Sequence, residues 1–166
     1  AARLTMLSTR LLELARADLS ANDPAGRADL GAILNRLADA YQADGFAVAA
    51  TLPDSLPLLA IRDASLDAIA SALIDNSRQA GASRVRFTAE QRGGAVRITV
   101  ADNGPGIAEA DRTRIFEPFF TTRRASGGSG LGLPIIKSLI EAAGGSLALA
   151  DSESGATFAL KLPLAL

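Results

Sequence analysis

Two stretches of alternating apolar and polar residues, 84–91 and 95–101, stand on either side of Arg92-Gly93-Gly94. Alternation with a period of two marks a strand with one buried face, and a glycine break between two such runs marks a hairpin. Val85, Phe87, Val96, Ile98 and Val100 supply the apolar face. That face needs a cover, and the segments around the hairpin carry the other period. In 63–80, Leu66, Ile69, Ala70, Leu73 and Ile74 recur every three to four positions, which is the stripe of an amphipathic helix.

The helical period returns in 3–17 (Leu4, Leu7, Leu11, Leu14), in 132–143, and in Leu30, Ile33, Leu34, Leu37 and Tyr41 behind Asp29, which stands at an N-cap position. Asn22-Asp23-Pro24-Ala25-Gly26 separates the first two of these helices. Extended segments are expected at 46–51 and 58–61 around a turn at 53–57, and a last hairpin is expected from 145–150 and 156–162. The residues 111–116 read as a short helix, followed by a polar, glycine-rich loop over 117–129. Helices mixed with hairpins do not make alternating βαβ units. The expected fold class is therefore α+β: a two-layer α/β sandwich whose mixed, mostly antiparallel sheet is covered on one face by helices.

The chain has 166 residues, enough for one domain with a sizeable core. Aromatics make up only 4% against 48% hydrophobic residues, so Leu, Ile, Val and Ala must build that core. A net charge of -1 sets up no general field for nucleic acid, and no nucleic-acid partner is expected. With no cysteine there is neither a disulfide nor a thiolate ligand, and the lack of histidine as well argues against zinc. The missing histidine has a second consequence. Any phosphoryl transfer to histidine must end on another chain or on a part not present here. No apolar run is long enough to span a membrane, and no basic start followed by an apolar core marks a secretion signal.

Four stretches carry the chemistry. Asp102-Asn103-Gly104-Pro105-Gly106 follows a strand; it reads as a tight turn, or as a carboxylate at a strand end accepting an exocyclic amine while glycines let a flat base approach. Gly127-Gly128-Ser129-Gly130-Leu131-Gly132 runs into a helix, and reads as a linker or as free N–H groups at a helix start for a phosphate. No Lys-Ser/Thr follows, so it is not a P-loop. Arg123 and Arg124 are solvated charges or phosphate partners. Phe116, Phe119 and Phe120 gather half of the six phenylalanines within five positions, suited to anchoring a mobile lid. Asn76 lies about 200° around the helix from Ile74, off the apolar stripe; it is a surface amide or an oxygen ligand for Mg²⁺.

Together, in this order and spacing, the four stretches resemble the ATP-binding catalytic domain of sensor histidine kinases, in the GHKL (HATPase, Bergerat-fold) superfamily that also contains gyrase, heat-shock chaperone and mismatch-repair ATPases. The likeness covers about 29–166. Leu73-Ile74-Asp75-Asn76-Ser77 is similar to the family's N box, which implies that Asn76 ligands Mg²⁺. The resemblance implies that Asp102 binds the adenine amino group, with Gly104 and Gly106 shaping the base pocket and Ile107 among the ATP-binding residues. Phe116 to Phe120 is similar to the F box, and Gly128 to Leu133 to the second glycine box. The implied lid is about 121–129, and Phe119, Thr122, Arg123, Arg124, Gly130, Leu131 and Gly132 are implied to line the ATP. Gly155-Ala156-Thr157-Phe158 resembles the last glycine motif, in which Thr157 would hold adenine through water.

Two positions depart from the family pattern. Ala72 stands where these kinases usually carry the first N-box Asn and the ATPase relatives a water-activating glutamate, so fast hydrolysis is disfavoured. Gln79 replaces a frequent basic phosphate contact, although Arg78 adjoins it.

The resemblance implies a transferase in two-component signal transduction, a histidine protein kinase using ATP and Mg. No catalytic side chain is assigned in this chain. Expected partners are the dimerisation and phosphoacceptor helices of the parent, a homodimer there, and the receiver domain of a response regulator. Residues 1–20 then read as the remnant of a dimerisation helix and linker, and 21–166 as the catalytic domain, working in the cytoplasm whether or not the parent is membrane-anchored. The alternatives are a pseudokinase-like docking module and a GHKL serine kinase acting on a partner protein.

Overall fold

The computed structural model describes residues 26–122 and 132–166, together with residues 9, 12 and 13. Most of the helix expected over 3–17, and residues 123–131, which hold most of the lid expected over 121–129, lie outside the described residues. Three helices and five strands are described. Helix α1 is Leu30–Ala43, strand β1 Ala47–Thr51, helix α2 Asp63–Gln79, strand β2 Arg84–Arg92, strand β3 Ala95–Asp102, helix α3 Gly132–Ala142, strand β4 Ser146–Ala150 and strand β5 Thr157–Pro163.

Helix α1 starts where its sequence says it should. Asp29 is in extended conformation, and its Oδ1 accepts the Ala32 N–H at 3.0 Å, satisfying one donor that the first turn leaves open. Leu30, Ile33, Leu34 and Leu37 are buried along one stripe. Helix α2 has no side-chain cap, and its ends are instead complemented by Asp63 in the first turn and Arg78 in the last. Its stripe of Leu66, Ile69, Ala70, Leu73 and Ile74 is fully inward. Tyr41 ties the two helices together. Its hydroxyl lies 2.9 Å from Asp75 Oδ1, and the Arg78 guanidinium sits 5.6 Å above its ring.

The sheet has the order β1-β2-β3-β5-β4. β1 runs parallel to β2, which requires a crossover, and α2 supplies it. The other pairings are antiparallel: β2 with β3 from Val85↔Asp102 to Arg92↔Ala95, β3 with β5, and β4 with β5. Val85, Phe87, Val96, Ile98, Val100, Phe158, Leu160 and Leu162 alternate onto the face covered by the helices. Fully burying a residue of this kind contributes about 1.5–3 kcal/mol, so this face is a substantial part of the driving force.

Two expected elements take a different form. The segment 58–61 is not a strand: only Leu59 pairs, in single antiparallel bridges to Ala28 and Leu164. Ile61 N–H turns back onto Leu59 O at 2.8 Å, which ends any extended run, while Leu59 itself is completely buried. The segment 111–116 is not a helix either. A 3₁₀ turn, Glu109–Asp111, comes first and successive turns follow it. Ile115 is the sole buried residue of that stretch, too little apolar surface to hold a helix against the core.

Candidate functional site

β3 ends at Asp102, beside the start of β5. The Asp102 N–H donates to Ala156 O at 3.0 Å, and the Ala156 N–H returns to Asp102 Oδ1 at 3.0 Å. The Gly104 N–H also donates to Oδ1, at 2.9 Å. One carboxylate oxygen is thus saturated by two backbone donors. No described group donates to Oδ2, which leaves an oriented acceptor on a half-buried aspartate.

Glycines bring the surrounding backbones together. Gly155 has φ +70°, and a Cβ there would lie 2.0 Å from Asp102 O and 2.9 Å from Asp102 Oδ1. Gly106 has φ +79° and faces Gly155 O, at 3.0 Å from its ideal Cβ position. A side chain at Gly155 would collide with Asp102, and one at Gly106 would press on the Gly155 backbone. Gly104 packs toward Ala82, whose N–H donates to Ser77 O at 3.1 Å. By that chain of contacts the end of α2, with half-buried Asn76, is held at the same end of the sheet as Asp102.

Asn103 does a different job from its neighbour. Its Oδ1 accepts the N–H groups of Ser83 and Arg84 at 2.9 and 3.0 Å, and its Nδ2 donates to Ser83 Oγ at 2.8 Å. It closes the entry to β2 onto the loop after β3. Asn103→Ala is expected to lower stability by about 1–2 kcal/mol, since exposed N–H groups regain water, and to change ligand affinity much less. Urea unfolding alongside ligand titration measures both.

The phenylalanine segment is fastened at several points. Phe116 packs edge-on against Phe158 with centroids 6.5 Å apart, and Lys137 Nζ of α3 lies 5.1 Å above its ring. The Arg114 guanidinium covers Phe120 at 4.4 Å. Arg112 donates to Ala150 O at 3.3 Å and to Asp151 at 3.0 Å, pinning the segment to the end of β4. Phe119 is 63% exposed, with φ +66°, the one non-glycine residue with positive φ among the described residues. A bulky side chain in that conformation costs about 1–2 kcal/mol.

Of the residues expected to line a site, Asp102, Gly104, Gly106 and half-buried Ile107 form one loop against Gly155 and Ala156. Gly132 opens α3 and Thr122 is exposed beyond the phenylalanines. Arg123, Arg124, Gly130 and Leu131 lie outside the described residues. Thr157 is not gathered with Asp102. Alternation along β5 places it on the face of Ala159 and Lys161, opposite Phe158, while Asp102 follows Val100 and Ile98 on the helix-covered side. The group from that motif that reaches Asp102 is the backbone of Ala156, which no side-chain pattern could reveal.

Ala72, one turn before Asn76, is 5% exposed and buried in the core, so that position offers nothing to a ligand. Among the described residues no group of three or more His, Cys, Asp or Glu side chains could hold a metal ion, and no helix is long and apolar enough to cross a membrane.

Comparison with known proteins places the chain in a family. The chain is 35% identical over 132 residues to the signal transduction histidine-protein kinase BaeS of Escherichia coli, covering 75% of this chain and 28% of that protein. It spans less than a third of the length of this relative and of the sensor protein KinB of Pseudomonas aeruginosa, of which it covers 20%. Among solved structures, full-length ShkA in complex with AMPPNP superposes with a TM-score of 0.74 at 29% identity, over 88% of this chain and 32% of that one. The ATP-binding domain of PrrB from Mycobacterium tuberculosis superposes at 0.71 and 27% identity, over 87% of this chain and all of that domain. The family model for the histidine kinase-, DNA gyrase B- and HSP90-like ATPases matches residues 62–166, and the chain belongs to that family.

Proposed function

We propose that this domain binds Mg-ATP and, in its parent protein, presents the γ-phosphate to an acceptor histidine that lies outside this chain. The observation that carries the reading is the Asp102 carboxylate. One oxygen is consumed by the Gly104 and Ala156 N–H groups, the other is left open, and Gly104, Gly106 and Gly155 surround the aspartate without side chains. Such an acceptor suits the exocyclic amine of adenine, with the flat ring against Gly104 and Gly106 and the side of Ile107. The family membership and the AMPPNP complex of ShkA support the same ligand.

Asn76 supplies a hard amide oxygen near the site, suited to Mg²⁺. An ion held there would draw its other ligands from phosphates and water. The start of α3 at Gly132 offers its open N–H groups to the phosphates, and Arg123 or Arg124 a clamp. Phosphoryl transfer asks little covalent chemistry of the protein, and this chain's part is to position the γ-phosphate and balance its charge. A buried Ala72 in place of a water-activating carboxylate favours delivery to an outside acceptor over hydrolysis.

In this reading residues 1–20 are the remnant of a dimerisation helix and linker, the parent is a homodimer, and the phosphate passes on to a response regulator receiver domain. The names of the sensor-kinase relatives support those partners. The test has two stages. Calorimetric titration with ADP and a non-hydrolysable ATP analogue, with and without Mg²⁺, is expected to show binding that Mg²⁺ strengthens. Asn76→Ala is expected to erase that Mg²⁺ effect, worth about tenfold or more in affinity. Adding the parent's histidine helix in trans with Mg-ATP should then yield acid-labile phosphohistidine. Acid-stable phosphoserine on a partner, or nucleotide binding without any transfer, would replace this reading with one of its alternatives.

A further inference from the structure

The helices cover one face of the sheet. On the other, β3, β5 and β4 form a shallow groove of about 310 Å³, walled by Arg92, Arg97 and Lys161 and floored by Ala95, Ala148 and Ala159. Its basic side chains are unusually arranged. Arg97 on β3 is the direct antiparallel partner of Lys161 on β5. Like charges placed opposite one another on a sheet destabilise it. On its other side Arg97 faces Glu90, but that carboxylate is engaged by Arg92 through two contacts of 3.0 and 3.1 Å. The hydrogen bond that Arg92 donates to Glu90, and then the charge of that carboxylate, raise Arg92 above the ordinary arginine value. Among the described residues neither Arg97 nor Lys161 has an ion-pair partner.

We infer that this groove docks an acidic, extended segment of a partner protein, its carboxylates meeting Arg97 and Lys161 and its aliphatic stems lying on the alanine floor. The chemistry selects a polypeptide over other anions. The outward positions alternating with the core residues of β2, β3, β4 and β5 carry no aromatic side chain on which nucleobases would stack. The same positions carry no large apolar residue to enter a bilayer, and the surface is concave. Side chains no larger than a methyl let a bound backbone come close to the sheet. The groove opens on the face opposite Asp102, so its occupancy does not depend on the nucleotide reading.

Fluorescence anisotropy of the chain with a labelled peptide of alternating glutamate and alanine tests this. Saturable binding is expected, falling as salt rises and weakened at least tenfold by Arg97→Glu and by Lys161→Glu. Arg86→Glu, outward on the same sheet but beside Ala101 near its other end, should leave binding within about twofold. Lys161→Glu turns a like-charge pair into an opposite one and should raise the melting temperature while abolishing binding, which separates lost docking from lost folding. A glutamine-alanine peptide that binds equally well, binding that survives both charge reversals, or no binding at all would overturn the inference. Binding to phosphatidylserine vesicles in place of the peptide would overturn it in favour of a membrane surface.

Discussion

Asp102→Ala is expected to abolish nucleotide binding and destabilise the domain together, whereas Asp102→Asn should separate the two effects. In the alanine variant the N–H groups of Gly104 and Ala156 lose the oxygen that both donate to, in a half-buried place where water replaces it incompletely. Each unsatisfied donor costs about 1–3 kcal/mol, a large share of the roughly 5–15 kcal/mol that holds a typical domain together. Asparagine keeps a carbonyl oxygen at the Oδ1 position and so keeps both bonds. What changes is the second position, where an acceptor becomes an NH₂ donor facing the place proposed for the adenine amine. Losing a hydrogen bond to a charged group, at about 1.5–3 kcal/mol, predicts a fall in affinity of roughly tenfold to a hundredfold with the melting temperature nearly unchanged. Calorimetry and thermal unfolding on both variants decide it, and wild-type affinity in Asp102→Asn would remove the amine from the account of this site.

Gly155→Ala should produce the largest loss of stability from the smallest change in volume. Its Cβ would sit 2.0 Å from Asp102 O, well inside contact distance, and the backbone there has φ +70°. The left-handed conformation costs an L-residue about 1–2 kcal/mol, and overpacking typically another 1–3 kcal/mol. Their sum, about 2–5 kcal/mol, corresponds to a drop in melting temperature of roughly 5–20 °C for a chain of this size. Gly93→Ala is the control. Gly93 also has positive φ, +59°, but a Cβ there meets nothing within 4 Å. It should show the conformational cost alone, so the difference between the two variants measures how tightly the last glycine motif is pressed against β3. Because Gly155 abuts the carboxylate, its alanine variant should also lose affinity for nucleotide; equal melting temperatures for the two variants would mean that the backbones part without cost.

Elements whose stability is local were legible in the sequence. Asp29 caps α1 because the cap needs only a side-chain oxygen and the N–H three residues on, and the β2–β3 hairpin follows from alternation around Gly93-Gly94. Elements that owe their form to distant partners were not. Leu59 looks like part of a strand in sequence, but it is a single bridging residue between Ala28 and Leu164, and nothing local shows that its neighbours turn away. The turns over 112–116 take their shape from Arg112 on the end of β4 and Phe116 on Phe158, contacts that bridge some forty residues of chain.

The same division runs through the site. The residue types and their order, Asn76, then Asp102 with its glycines, then the phenylalanines and the second glycine run, were set by the sequence, since each motif is a short string whose chemistry is local. Which atoms meet was decided by the tertiary structure. Only the pairing of β3 with β5 brings the Ala156 N–H to Asp102 Oδ1, leaves Oδ2 open, and puts Thr157 on the far face. The basic groove has the same origin, since Arg97 and Lys161 are far apart in the chain and become opposed only through strand register. The reason is common to both: side-chain chemistry is written residue by residue, but register and backbone contact arise when sheet and helices bury their shared apolar face, and that burial depends on the whole chain at once.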